Sequence, residues 1–331
     1  MAKTGKLEWT LMQELISLIP TDDIDLLIGP MQGEDAAIIR LRDGFLVAHV
    51  DPITTAVEHI GYLAVHVAAN DIAVRGVEPK WFMPTILLPS NISFDDVKRI
   101  FGDMKKALEE IKGVIIGGHT EISPNINRPL ISMTSIGYTL LPPILTRNAK
   151  PGDYVYIVGR VGGEGTGIIA WDFEEKLLQY GVEKKTIETA KNYVYDISIV
   201  KVALSIRDFV NTMHDATEGG ILQAIREIAV ASKTRIKVWR DKIMIEQPVA
   251  KITSALKIDP LKLLSSGCIV ATVPPANTQE FENALNQLNK QYSKIGVVEK
   301  GTGEVILISD TSVDIINRDL IDEIYKLWSL M

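Results

Sequence analysis

A single cysteine, Cys268, stands among 331 residues, so no intrachain disulfide can form and a reducing, cytoplasmic compartment is expected. It lies in the apolar run Cys268-Ile-Val-Ala-Thr-Val, which marks it as a small core residue rather than a reactive thiol. No long basic run occurs and the formal net charge is −7, which argues against a general nucleic-acid or membrane-surface binder. An anionic ligand would need a local site. No apolar stretch reaches the roughly 18 residues that span a bilayer, and the first residues carry no apolar signal region, so a soluble, unprocessed protein is expected. There is no low-complexity tract and no short internal repeat of the solenoid kind. Hydrophobic residues make up 46% and charged residues 23%, the balance of a globular chain, and the length favours two domains.

Residues 33–51 are the most informative stretch. Two β-prone runs, 36–41 and 45–50, flank Asp43-Gly44, a strong hairpin signal. With Gly44 left-handed in a three-residue loop, Asp35 falls opposite Asp51; with a two-residue loop, Ala36 takes that place. Either register brings two carboxylates near each other, and like charges so placed need a cation, a shared proton or plentiful water. A cation is the expectation.

Elsewhere in the first half, residues 7–19 have helical apolar spacing that Pro20 closes. Residues 61–75 are apolar on nearly all sides, which suits a buried helix stopped by Gly76. Asn70-Asp71 interrupt that segment. A buried carboxylate is costly unless paired or metal-bound, so Asp71 takes either Arg75 at i,i+4 or a ligand or metal. Residues 80–89 read as a strand, with Pro84 pointing to an edge or bulge, and 91–111 as an amphipathic helix with Ser93 and Asp96 in capping-box positions. A short strand over 114–116 runs into Gly117-Gly118-His119-Thr120-Glu121. This is either a tight turn or a backbone cradle for phosphate to which His, Thr and Glu add hydrogen bonds or metal ligation. A strand over 129–140 and the turn-rich residues 142–153 follow, dividing the chain into 1–148 and 149–331.

In the second half, a strand over 154–159 precedes Gly162-Gly163-Glu164-Gly165-Thr166-Gly167 and a helix from about Ile168. The spacing is not the dinucleotide fingerprint; a loop needing close backbone packing is expected, with phosphate contact as the alternative. A helix is expected over 194–210. His214-Asp215-Ala216-Thr217-Glu218-Gly219-Gly220 then leads into a periodic helix that Asp215 is placed to cap. Two glycines in a first helical turn imply that something approaches the backbone there, at an end suited to anions. Strands over 263–273 and within 295–308, then an amphipathic helix over 320–330, complete the chain. His119 and His214, with unperturbed pKa values near 6.5, are candidate acid/base groups unless they are structural.

Taken in order, Gly33-Glu-Asp-Ala-Ala-Ile, Val50-Asp51, Asn70-Asp71-Ile-Ala-Val-Arg-Gly-Val-Glu-Pro79, Gly117-Gly118-His-Thr, Pro151-Gly152-Asp153 and His214-Asp-Ala-Thr-Glu-Gly-Gly220 resemble one superfamily. It is the PurM-like group of aminoimidazole ribonucleotide (AIR) synthetase, the hydrogenase maturation protein that dehydrates a thiocarboxamide, selenophosphate synthetase and thiamine-monophosphate kinase. The resemblance spans nearly the whole chain. It implies an N-terminal α/β domain whose sheet joins that of a homodimer mate in a β-barrel, and a C-terminal α+β domain. ATP would lie in the cleft, with Mg2+ held by aspartates. On that likeness Asp35, Asp51 and Asp71 would bind metal and phosphates. Asn70, Gly117, Gly118, His119 and Thr120 would line the nucleotide site, and Asp215 would face it from the second domain. Magnesium, a hard ion that takes carboxylates and nucleotide oxygens, suits such a set.

Three departures bear on activity. The family usually has an acidic residue where His119 stands, so either Glu121 substitutes as a metal ligand or one metal site is missing. Neither the C-terminal cysteine of the maturation protein nor the N-terminal cysteine or selenocysteine of selenophosphate synthetase is present, which excludes those chemistries in their usual form. The implied activity is ATP- and magnesium-dependent activation of a small-molecule acceptor, by phosphorylation of an amide-type oxygen or by phosphoryl transfer. A nucleotide-binding dimeric scaffold without catalysis is the alternative.

Overall fold

The computed structural model describes residues 7–54, 56 and 58–328. The first half forms a sheet from β1 (Leu26–Ile28), β2 (Ala37–Leu41), β3 (Gly44–Ile53), β4 (Pro79–Pro89), β5 (Val114–Ile115), β6 (His119–Ser123) and β7 (Leu130–Thr139). Its order is β1-β2-β3-β7-β4-β5, with β6 also paired to β4. Helices α1 (Trp9–Ile16), α2 (Ile60–Val74) and α3 (Phe94–Ile111) accompany it. The second half forms a sheet in the order β14-β13-β10-β12-β8-β11-β9. These strands are β8 (Tyr154–Val158), β9 (Thr212–Ala216), β10 (Thr234–Trp239), β11 (Ser265–Val273), β12 (Tyr292–Lys300), β13 (Val305–Ile308) and β14 (Val313–Ile316). Its helices are α4 (Gly163–Asp172), α5 (Glu174–Gln179), α6 (Lys184–Lys191), α7 (Val200–Ile206), α8 (Gly220–Ser232), α9 (Gln247–Leu256), α10 (Thr278–Gln287) and α11 (Ile324–Trp328). Among the described residues no helix is long and apolar enough to cross a membrane.

Helix α2 explains its own composition. One side packs on β3 and β7, the other on α7, β9 and β11, so every one of its residues is buried and no polar stripe is needed. Gly76, at φ +70°, ends it in the left-handed conformation that glycine tolerates. The asparagine that breaks its apolar run is a clamp. Asn70 donates to the Ile197 and Ser266 carbonyls at 2.8 and 2.9 Å and accepts from Ile199 N at 3.1 Å, tying α2 to the second half. Ser93 caps α3 as its spacing predicts, accepting from Asp96 N at 3.1 Å.

The hairpin forms in neither expected register. Leu41 pairs with Gly44 and Ala37 with Ala48, so Arg42-Asp43 make the turn and Gly44 is already strand. Gly44 is required for close approach rather than for a left-handed turn, because a Cβ there would sit 2.4 Å from the Thr139 carbonyl oxygen of β7. The ladder stops at Ala37, and Asp35 does not stand across from Asp51. Pro84 is not on an edge strand either: β4 lies between β7 and two short parallel partners, and Pro84 falls in the gap between the residues paired to β5 and those paired to β6.

Three expectations for the second half are revised. Residues 163–167 are the first turns of buried α4 rather than a loop, their glycines admitting Leu263 and Val194 at distances no Cβ allows. The helix expected over 194–210 is helical only in pieces, with α7 at its centre flanked by short 3-10 turns. The closing helix begins at Ile324, and residues 329–330 of its expected span lie outside the described residues. Cys268 is fully buried, and burial pushes its thiol pKa up, as befits a core residue.

Candidate active site

Two polar centres meet where α2, β3 and β9 converge. The first is built on Arg75, at the C-terminal end of α2 and 0% exposed. Gly33, at φ +82°, lets the preceding segment lie against α8, where a Cβ would come within 2.6 Å of the Glu227 carbonyl oxygen. That delivers Glu34 and Asp35 to the arginine. Arg75 donates through Nη1 to Glu34 Oε2 (2.9 Å) and Thr146 Oγ1 (2.8 Å), and through Nη2 to Asp35 Oδ2 (2.5 Å) and the Met213 carbonyl (3.0 Å). So the arginine four residues after Asp71 turns away from it.

His214 on β9 completes this centre. Its Nδ1 lies 2.6 Å from the Asp215 carbonyl oxygen, and its Nε2 lies 2.7 Å from Asp35 Oδ1 and 3.2 Å from Glu227 Oε2. Acceptors at both nitrogens favour the doubly protonated ring. Burial works against the charge, but Asp35 and Glu227 overcome it and hold the His214 pKa well above 6.5. In the same way burial alone would raise Asp35, yet His214 and then Arg75 take it below the usual carboxylate range. Arg75 and His214 are thus the partners of Asp35 within the chain, and Asp35, His214 and Asp215 also bring one ligand atom each within 4.8 Å of the others. Asp215 follows on the same strand, buried within reach of the pair, and does not cap α8.

A pH dependence follows. Because His214 has a raised pKa in the folded state, its contribution to stability is complete below its unfolded value of 6.5 and is lost as pH rises through the folded value. His66, buried on α2 beside Glu110, has the opposite sign: burial pushes it down to about 4, so its contribution is lost as pH falls from 6.5 toward 4. The stability difference between wild type and His214→Asn, followed by urea unfolding, should be largest near pH 6 and shrink steadily above it.

The second centre is His49, Asp51 and Asp71. His49 and Asp51 alternate on β3 and so share the face against which α2 packs; Asp71, 5% exposed, comes from α2. His49 Nε2 lies 3.4 Å from Asp71 Oδ2, and one ligand atom from each residue lies within 4.8 Å of the others. His49 also helps lower the pKa of Asp35, which places the two centres side by side. Period-2 spacing from Asp51 carried enough information to find His49 in the sequence. No local pattern marked Glu34 or Glu227.

Residues Gly117, Gly118, His119, Thr120 and Glu121 are not part of either centre within one chain. They are exposed, and His119 and Glu121 pair with each other at 3.1 Å. Gly118 is needed because a Cβ would meet the Pro84 carbonyl oxygen at 2.5 Å. Strand β6 is three strand spacings, about 14 Å, from β3. The register places His119 in the row Thr85–Ser132–Pro52, whose side chains leave the sheet on the face opposite His49 and Asp51. Asn70, spent on its three backbone bonds, lines neither centre.

The N-terminus of α8 also differs from expectation. What approaches Gly220 is the chain: a Cβ there would meet the Leu261 and Leu263 backbone at 2.7–2.8 Å. Gly219 N donates to Asp322 Oδ2 at 2.8 Å, so a carboxylate of the C-terminal segment takes the anion position. Asp322 also accepts from Ile324 N, and burial pushes its pKa up to about 7. Tyr325 hydrogen-bonds Glu218 and feels the charge of Asp51, so this segment lies near the second centre.

Residues 33–139 match the N-terminal domain, and residues 150–309 the C-terminal domain, of AIR synthase related proteins. The chain is 27% identical over 329 residues to a putative hydrogenase expression/formation protein of Methanocaldococcus jannaschii, covering 94% of this chain and 93% of the other. It is 28% identical over 290 residues to a thiamine-monophosphate kinase of Pyrococcus horikoshii, covering 84% and 86%. Among solved structures, the hydrogenase maturation protein HypE in complex with ATP superposes with a TM-score of 0.69 at 22% identity, covering 95% of each chain.

Proposed function

Because the chain belongs to the AIR synthase related family, we propose that it is an ATP-dependent enzyme that activates a small acceptor by phosphorylation of an amide-type oxygen or by phosphoryl transfer. The observation that carries this reading is the second centre, where two carboxylates from distant motifs converge with a histidine beside a first centre that already has its own cations. Two carboxylates at one place, one of them 95% buried, are tolerable with a divalent ion. Asp51 and Asp71 would hold that ion, which when bound would supply charge neutralisation for the phosphates. The chain's own contribution is positional. Arg75 and His214 fix Asp35, and Asn70 fixes α2 against β11. No protein nucleophile is required, in keeping with a buried Cys268.

Residues 1–148 are taken as the nucleotide-binding and dimerisation part, residues 149–331 as the C-terminal domain, and the compartment as the cytoplasm. Homodimerisation is proposed through the open face of the first sheet, where Val50, Met83 and Tyr138 stand exposed on adjoining strands. Met83→Asp should turn a dimer into a monomer in analytical ultracentrifugation; a wild-type monomer at micromolar concentration would remove the dimer. For the activity, ATP turnover is measured with and without Mg2+ against carboxamide and phosphate-ester acceptors. Nucleotide binding that persists unchanged in Asp51→Ala would remove the site. Tight ATP binding without product from any acceptor would favour a scaffold, a reading that the displaced His119 and Glu121 support.

A further inference from the structure

Oxygen-only donor sets suit Mg2+, which dehydrates reluctantly, whereas an imidazole nitrogen favours first-row transition ions. The second centre offers one nitrogen with its two carboxylates. We infer that His49 is a ligand of the ion beside β3 and that this makes the site selective for a transition divalent of the Mn2+ class over Mg2+. This rests on the reading that Asp51 and Asp71 hold a divalent ion.

The geometry supports a shared ion. The separation of 3.4 Å between His49 Nε2 and Asp71 Oδ2 exceeds the 2.7–3.2 Å of an ordinary N–H···O hydrogen bond. It matches the spacing, about 3–3.4 Å, of two ligand atoms that each lie about 2.0–2.1 Å from one ion. Strand alternation places His49 and Asp51 on the same side, with Asp71 meeting them from the helix that packs there. His49 is about a quarter exposed and Asp51 partly so, which leaves an open side for water or nucleotide oxygens, while Asp71 anchors the buried side. The arginine on the same helix is committed to Glu34 and Asp35 and does not compete for Asp71.

The test uses the full chain with Mn2+ and a non-hydrolysable ATP analogue. Electron spin echo of the bound Mn2+ should show modulation from a coordinated imidazole nitrogen. His49→Ser should abolish it and lower the preference for Mn2+ over Mg2+, measured by competition, roughly tenfold. His49→Asn, closer in size, guards against a folding defect and should lose the same modulation. Absence of nitrogen modulation in wild type, or modulation that survives His49→Ser, overturns the inference; the latter would point to His214 instead. If Mg2+-dependent ATP turnover stands while the nitrogen signal is missing, only the role of His49 falls. If no divalent ion binds with or without nucleotide, the proposed enzyme falls with it.

Discussion

Replacing Arg75 by methionine is expected to cost about 3–5 kcal/mol of stability, the range found when one partner of a buried ion pair is removed. The arginine is wholly enclosed, and its fork satisfies Glu34, Asp35, Thr146 and the Met213 carbonyl from three separate segments. Methionine of similar length fills the space but leaves two carboxylates with one fewer cation in a place water does not reach. Urea unfolding at pH 7 measures the loss. Arg75→Met combined with Asp35→Asn should recover part of it, because the second change removes one of the stranded charges. A cost below about 1 kcal/mol for the single change would mean that the first centre is solvated and that His214 alone neutralises it.

Asp71→Asn should lower ATP turnover by about two orders of magnitude or more while leaving the fold intact. The amide keeps the shape of the side chain but removes the charge from the most deeply placed carboxylate of the second centre. Loss of a single preorganised electrostatic group at a reacting centre commonly costs about 100- to 1,000-fold. Thermal stability should be unchanged or slightly higher, since a buried negative charge disappears. The decisive comparison is steady-state turnover against melting temperature in the same preparations. Turnover within a few-fold of wild type would mean that Asp71 serves only as the partner of His49.

Much of the fold was legible because its elements follow local rules. The buried helix, the capped amphipathic helix and most strands were written in apolar periodicity, and Ser93 with Asp96 marked a true N-terminus. The hairpin was legible but its register was not. Asp-Gly usually places glycine inside the turn, whereas here Gly44 is reserved for the approach of β7, a constraint that arises 95 residues away. Asp35, Asp51, Asp71 and Asp215 stood out one by one in the sequence, yet their grouping did not. Asp35 and Asp51 part company because Arg75 and His214 claim the first and α2 presents Asp71 to the second. Glu227 joins the first centre through tertiary packing of α8 on β9, which no local pattern encodes. Asp322 likewise reaches back 103 residues to Gly219, so the helix end that read as an open anion site is already occupied.

The burial of α2 on both sides, fastened by Asn70, leaves no seam along which the two halves could swing apart as rigid lobes. The stretch from Asp322 to Tyr325 is in turn tied to the start of α8 through Gly219 and Glu218. By the same logic, a gene cut between the two sheets, near residue 149, should yield two insoluble products, since each fragment would bare apolar surface that is buried in the whole chain.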